Sequence, residues 1–429
     1  MKISVVGGGS TYTPELISGV LTIGKDLAVS EIALIDIPES AAKLETIGRF
    51  ADRMAAAANS PLKITRTFDL EEGLRGATVV INQFRVGGLE ARGGDERIPL
   101  EFGLIGQETT GIGGMMKALR TFPVLDRIVE TIRRVSPEAW LVNFTNPAGL
   151  NTEYLHNTLG FHRSIGLCNV PIEFLMRAAE LLECERNEIF LKYYGLNHLS
   201  WVEKVLHNTV DRTADFWDSF RVKMKNNPDI EYRPGFLEEL GLLVNPYLDY
   251  YYNTRRMLER EIEDRDGKGT RAQQIQRLEP ELLALYDDPG RIEIPEELSQ
   301  RGGFMYSTVA MELIRDLFTD AGTTHIINTP NGSAVDNLPR DYVLEIPARI
   351  AAAGPVPHTL GSASPVAIGL IHTVKQFERL TIRAHVEKDS RYAKHAMLIH
   401  PLGPDEAALE DVWTALLEAN RPFLPGLER

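Results

Sequence analysis

Along the first 170 residues, short apolar runs alternate with amphipathic stretches. Residues 3–6, 32–35, 62–65, 78–81, 139–142 and 164–167 are brief, mostly apolar segments that read as buried strands. Between them the apolar positions return at helical spacing over 14–21, 41–58, 70–74, 115–135 and 150–159. Strand and helix in strict alternation predict right-handed crossovers and a mostly parallel sheet. The expected fold class is therefore α/β: a Rossmann-type, doubly wound sheet of six strands over residues 1–171.

Beyond Pro171 the pattern changes. Residues 190–195 and 199–205 read as two strands around Leu196-Asn197-His198. Helical stretches follow at 214–225 and 236–240, then a cluster of aromatics containing Tyr247, Tyr250, Tyr251 and Tyr252. The polar segment 259–268 reads as exposed and mobile, and Gly269-Thr270-Arg271-Ala272 opens another helix. Residues 295–320 are helical, 326–332 and 342–347 look like strands, and a helical tail runs from 365 to about 420. The second domain, 172–429, is expected to be mixed α+β and helix-rich.

Composition narrows the function classes. The chain has 429 residues with a net charge of −14, which argues against nucleic acid or an anionic membrane as partner. Two cysteines give no disulfide framework. The first strand reaches Gly7 with no charged leader, and no apolar run is long enough to span a bilayer. A cytoplasmic location is expected.

The first strand runs into Gly7-Gly8-Gly9-Ser10-Thr11-Tyr12, and the second ends in Asp36. Glycines there let backbone N–H groups approach a pyrophosphate at a helix N-terminus, and Asp36 suits a ribose diol, favouring NAD over NADP. Tyr12 stands where the usual fingerprint has its third glycine. The same turn also serves flavodoxin-like or nucleotide-free α/β folds. Gly7, Gly9, Ser10, Thr11, Asp36 and Arg85 form the expected cofactor set. Arg85 and Arg92 follow the fourth strand, in what reads as a charged loop. Cys168 and His198 sit at turns that face the same presumed crevice, and a thiolate with an imidazole suits a borderline divalent metal. On spacing alone a buried free thiol and a structural histidine are the simpler reading. Cys184 reads as an inert thiol, and His207 as structural or surface. Tyr247 reads as core packing unless a neighbouring cation lowers its pKa.

Gly8–Leu16, 106–111, 143–149, 168–171, 195–198, 301–307 and 328–339 together resemble the NAD-dependent glycoside hydrolase family 4, in order and over nearly the whole chain. Residues 168–171 and 247–252 resemble its 6-phospho-β-glucosidase branch. The resemblance implies a lactate/malate-dehydrogenase-like architecture, NAD and Mn²⁺ or another divalent metal as cofactors, and a homodimer or homotetramer. It implies a phosphorylated disaccharide or an aryl 6-phospho-β-glucoside as substrate. It further implies hydrolysis by oxidation at C3 of the sugar, loss of the C2 proton, a metal-stabilised enediolate, elimination of the aglycone, water addition and hydride return, outside the two-carboxylate scheme. Carried over by position, Cys168 and His198 match metal ligands, Tyr247 the base, and Glu108 an acid that tunes it. Arg92, Asn146 and Arg271 match sugar- or phosphate-contacting positions. Asn169 stands where α-acting members carry a proton donor. An NAD-dependent 2-hydroxy-acid dehydrogenase, another specificity within the family, or a non-catalytic nucleotide sensor are the alternatives.

Overall fold

The structure is a computed structural model that describes residues 1–224, 232–233, 235–302, 305–424 and 426–427. Lys225, the last residue of one expected helix, and Gly303 and Phe304 lie outside the described residues.

The six expected strands form as β1 (Lys2–Val6), β2 (Glu31–Ile35), β3 (Lys63–Thr67), β4 (Val79–Asn82), β5 (Trp140–Asn143) and β6 (Ser164–Gly166). They pair in parallel in the order β3-β2-β1-β4-β5-β6. The order reverses between β1 and β4, the place where doubly wound sheets open a crevice. Alternate residues serve opposite faces, as strand periodicity demands. Val79 and Ile81 pack with Leu16, Phe50 and Met311 on one side, while Val80 packs with Met115, Leu119 and Ile371 on the other. Both faces are apolar, which is why these strands read as unbroken hydrophobic runs.

β7 (Ile189–Leu196), β8 (Leu199–His207), β9 (Val210–Asp211) and β10 (Leu243–Val244) make a separate antiparallel sheet. The β7–β8 turn carries Asn197 and His198. β11 (Thr324–Pro330), β12 (Val343–Ala351) and β13 (Gly354–Pro357) return to the first sheet and extend it, with β11 antiparallel to β6 through Asn328 and Gly166. The sheet thus reaches nine strands, three of them from beyond residue 171.

Two sequence expectations fail. The charged segment after β4 is a helix, Gly88–Glu101, not a loop. Its charges are matched internally and across to the next helix: Arg92 Nε lies 2.6 Å from Glu96 Oε1, and Arg120 Nη2 lies 2.6 Å from Asp95 Oδ2. The polar segment 259–268 largely belongs to a helix, Thr254–Asp266, docked by the Gly106 N–H donating to Glu261 Oε2 at 2.8 Å. Four of its residues, Met257, Arg260, Glu261 and Asp264, line the central cavity. The tail divides into Pro365–Glu387, Ser390–Ile399 and Glu406–Asn420, the first ending at left-handed Lys388. Among the described residues, no helix is long and apolar enough to cross a membrane.

Candidate active site

A cavity of about 1390 Å³ lies at the carboxyl ends of the central strands. Its wall includes Gly7, Gly9 and Ser10 after β1, Asp36 after β2, Arg85 after β4, and Asn146 after β5. The glycine turn is held from below. The Gly7 and Gly8 N–H groups both donate to the Ile35 carbonyl at 2.9 Å, and Gly9 N–H donates to Asp36 Oδ2 at 2.7 Å. Gly7 has φ +87°, and a Cβ there would sit 2.8 Å from Phe84 backbone, so only glycine fits. Thr11 does not reach the cavity: it is fully buried under the turn, and its hydroxyl has no partner.

The two candidate metal ligands meet. Cys168 follows β6, and His198 occupies the β7–β8 turn with a left-handed φ of 64°, uncommon outside glycine. Cys168 Sγ lies 3.5 Å from His198 Nε2, close to the separation of two ligands on one divalent ion. His198 Nδ1 lies 3.0 Å from Thr109 Oγ1. A proton on Nδ1 donated to that hydroxyl leaves the Nε2 lone pair directed towards Cys168. Burial, with Lys117 adding to it, pulls His198 down to about 3, so the imidazole is neutral. Burial and then Glu345 push the Cys168 thiol up. A cation between the two atoms would reverse that preference and hold the thiolate. The donor set therefore fits a borderline divalent ion. His198 lines the cavity, while Cys168 sits behind its wall.

Tyr247 stacks flat on His198, with ring centroids 3.9 Å apart and planes 7° from parallel. Asn245 Oδ1 accepts from the Tyr247 N–H at 3.0 Å and starts the short helix that presents the ring. Burial, Cys168 and Glu108 all raise the Tyr247 phenol, and Arg92 opposes them. Next to it lies a buried charge cluster. Glu108 accepts from Lys117 Nζ at 2.7 Å and pairs with Arg92 Nη1 at 3.0 Å and Arg85 Nη2 at 3.2 Å. Burial alone would raise Glu108, but Arg85, Arg92 and Lys117 hold it well below the usual carboxylate range. With Glu96 also paired to Arg92, three cations meet two carboxylates and the cluster stays positive overall.

Arg271 lines the cavity, its Nη2 donating to the Gln300 carbonyl at 2.6 Å. The side-chain oxygen of Asn146 is buried without a partner, the state of a group that awaits a ligand donor. Asn169 lines the wall at the start of the helix Val170–Leu182 and donates to Glu173 Oε1 at 2.9 Å. Sequence reasoning passed over Lys117 and gave Arg301, though part of the motif 301–307, no role of its own. Lys117 is the lone charge in the apolar start of its helix, and that isolation was the available signal. Burial and then the Arg85 charge pull Arg301 down to about 10, and its guanidinium lies 5.4 Å from the Tyr12 ring centre.

The fold is similar to that of a malate dehydrogenase. A malate dehydrogenase from Cryptosporidium parvum superposes with a TM-score of 0.54 at 14% identity, covering 90% of this chain and 99% of that one, a likeness of fold alone. Within that fold, the chain belongs to the family 4 glycosyl hydrolases: the family's profile matches residues 2–184 and that of its C-terminal domain residues 193–403. It is 44% identical over 426 residues to the 6-phospho-beta-glucosidase BglT of Thermotoga maritima, covering 99% of both chains. A Thermotoga maritima 6-phospho-beta glucosidase solved with manganese, NAD⁺ and glucose-6-phosphate superposes with a TM-score of 0.92 at 43% identity, again over 99% of each chain.

Proposed function

We propose that this enzyme hydrolyses 6-phospho-β-glucosides with NAD⁺ and a divalent metal, Mn²⁺ by preference. The observation that carries the reading is the 3.5 Å approach of Cys168 Sγ to His198 Nε2 under the stacked ring of Tyr247, beside a cavity whose far end is a glycine turn with Asp36. The names of the relatives and the ligands of the Thermotoga structure support the same substrate and cofactors.

When bound, NAD⁺ supplies a hydride acceptor and donor, and the divalent ion a Lewis acid for neighbouring sugar oxygens. Cys168 and His198 would hold the ion. Gly7, Gly9, Ser10, Asp36 and Arg85 line the dinucleotide end, with Thr13 Oγ1 donating to the Gly8 carbonyl at 2.8 Å beneath the turn. Tyr247 removes the proton from C2 of the sugar, and Arg92 opposes the burial that keeps its phenol neutral. Glu108 anchors Arg85, Arg92 and Lys117, so their positive charge faces an anionic substrate without mutual repulsion disordering them. Arg92 and Arg271 bind the 6-phosphate, and Asn146 and Asn169 hold sugar hydroxyls.

The test is release of p-nitrophenol from its 6-phospho-β-glucoside, with NAD⁺ and Mn²⁺ added singly and together. Release that requires both is expected. NADH accumulating on a 2-hydroxy acid, with no release from the glucoside, would instead identify a dehydrogenase. No observation in the cavity favours that reading, since a dehydrogenase of that kind needs no metal thiolate.

A further inference from the structure

The helix Val170–Leu182, which begins beside Cys168, ends at a second set of metal-type donors. Among the described residues, Cys184, Glu188 and His207 are the one group of three such side chains whose ligand atoms all lie within 4.8 Å of one another. They come from three elements. Cys184 follows the helix, whose C-cap Glu183 is left-handed at φ 54°. Glu188 closes the short turn Arg186–Glu188, and His207 ends β8. Glu188 is held in place by three contacts. Its Oε2 accepts from the Glu185 N–H at 3.0 Å, its Oε1 accepts from Asn208 Nδ2 at 3.0 Å, and its carbonyl accepts from the Asn208 N–H at 2.9 Å. His207 Nε2 is shielded from solvent and lies 3.5 Å from Glu188 Oε2.

We propose that Cys184, Glu188 and His207 bind a zinc ion, distinct from the ion held by Cys168 and His198. A thiolate, an imidazole and a carboxylate are the ligands zinc takes in tetrahedral sites, with solvent in the fourth position here. A sulfur ligand beside an imidazole suits zinc. Ligand atoms on a zinc tetrahedron stand about 3.5 Å apart. The Glu188–His207 pair has that spacing already, and rotation of the Cys184 side chain closes the set. Burial and then Glu188 push the Cys184 thiol up, while Arg212 opposes them. The ion would clamp the end of the helix to the end of β8. The opposite ends of those same two elements flank Cys168 and His198, about 20 Å away along the helix. Its role is structural, tying the end of the helix to the end of β8.

The full chain, stripped of metal, is titrated with Zn²⁺ in competition with a chromophoric chelator, as wild type and as Cys184→Ser and His207→Gln. The wild type is expected to bind one more equivalent than either variant within the chelator's range. Zn²⁺ should raise its melting temperature further than theirs, while release of p-nitrophenol with NAD⁺ and Mn²⁺ remains the same in all three. The two variants are independent, so loss of folding in one leaves the other to decide. Equal zinc stoichiometry in wild type and in a folded variant overturns the site. So does a wild type whose only tight equivalent disappears in Cys168→Ser. Neither result bears on the glucosidase reading, which the Mn²⁺ assay measures separately.

Discussion

Cys168 and His198 are thirty positions apart in the chain, and their contact depends on two separate facts of backbone. β6 must end one residue before Cys168's neighbour Leu167, and the β7–β8 turn must place His198 in a left-handed conformation. Cys168→Ser replaces a soft donor with a hydroxyl of similar size, and a hydroxyl is a poor ligand for a borderline ion. Activity with Mn²⁺ is expected to fall about 100-fold or more while the urea-unfolding midpoint barely moves. Equal turnover at saturating Mn²⁺ would remove Cys168 from the metal. Tyr247→Phe keeps the ring that stacks on His198 and deletes only the phenol oxygen. Exchange of the sugar C2 proton with deuterated solvent, followed by NMR, is expected to stop in this variant; undiminished exchange would leave the base elsewhere. These residues were legible as a family pattern and not from spacing, because no local rule links a thiol after one strand to an imidazole in a turn of another sheet. Lys117 and Arg301 were illegible for a related reason. Each is a charge whose partners, Glu108 and Tyr12, lie in other elements.

At the scale of elements, the helix Gly88–Glu101 shows why a charged stretch was misread. Half its polar residues face protein: Asp95, Glu96 and Arg92 are all buried. A single sequence cannot distinguish a solvated charge from one whose partner arrives from 25 residues away. That partner is Arg120, whose Nη1 and Nη2 donate to Asp95 Oδ1 at 2.8 Å and Oδ2 at 2.6 Å, with both side chains fully excluded from solvent. Arg120 also donates to Asn420 Oδ1 in the last helix, so one guanidinium joins three helices. Asp95→Leu strands that charge in the interior and is expected to cost about 3–5 kcal/mol in urea unfolding. Adding Arg120→Met removes the stranded charge, and the double variant should recover much of the loss. Additive losses would mean that the pair is not the tie between these helices. Elements with strong periodicity, such as Gly111–Val135, were foreseen within a few residues, because an amphipathic face over seven turns leaves little room for another assignment.

At the scale of the molecule, the parallel sheet follows from alternation and handedness, while the order β3-β2-β1-β4-β5-β6, which sets where the crevice opens, is read from the structure. The return of β11–β13 to that sheet does not follow. β11 joins β6 through one residue pair, Asn328 with Gly166, and nothing in a short strand's sequence specifies its neighbour. The return matters because it carries Glu345 up against the second sheet. Tyr193 Oη donates to Glu345 Oε2 at 2.5 Å and Asn197 Nδ2 donates to Glu345 Oε1 at 2.9 Å. The turn bearing His198 is thereby braced by a strand more than 140 residues further on.

The same architecture separates the end of the cavity proposed for the dinucleotide from the end proposed for the metal. The glycine turn is organised by Ile35 and Asp36, both on β2 or just past it, and by Gln83, whose Nε2 donates to Thr13 Oγ1 at 2.8 Å. None of these contacts passes through Cys168, His198 or Thr109. Removing the metal should therefore leave the dinucleotide end intact while leaving Cys168 protonated and the sugar oxygens without a Lewis acid. After treatment with a chelator, the NAD⁺ affinity measured by calorimetry is expected to stay within about threefold, a change of about 0.7 kcal/mol or less. Release of p-nitrophenol should fall about 100-fold or more and return when Mn²⁺ is added. NAD⁺ affinity that collapses together with activity would mean that the two ends form one cooperative unit, and that the β7–β8 turn holds the glycine loop through the cavity wall.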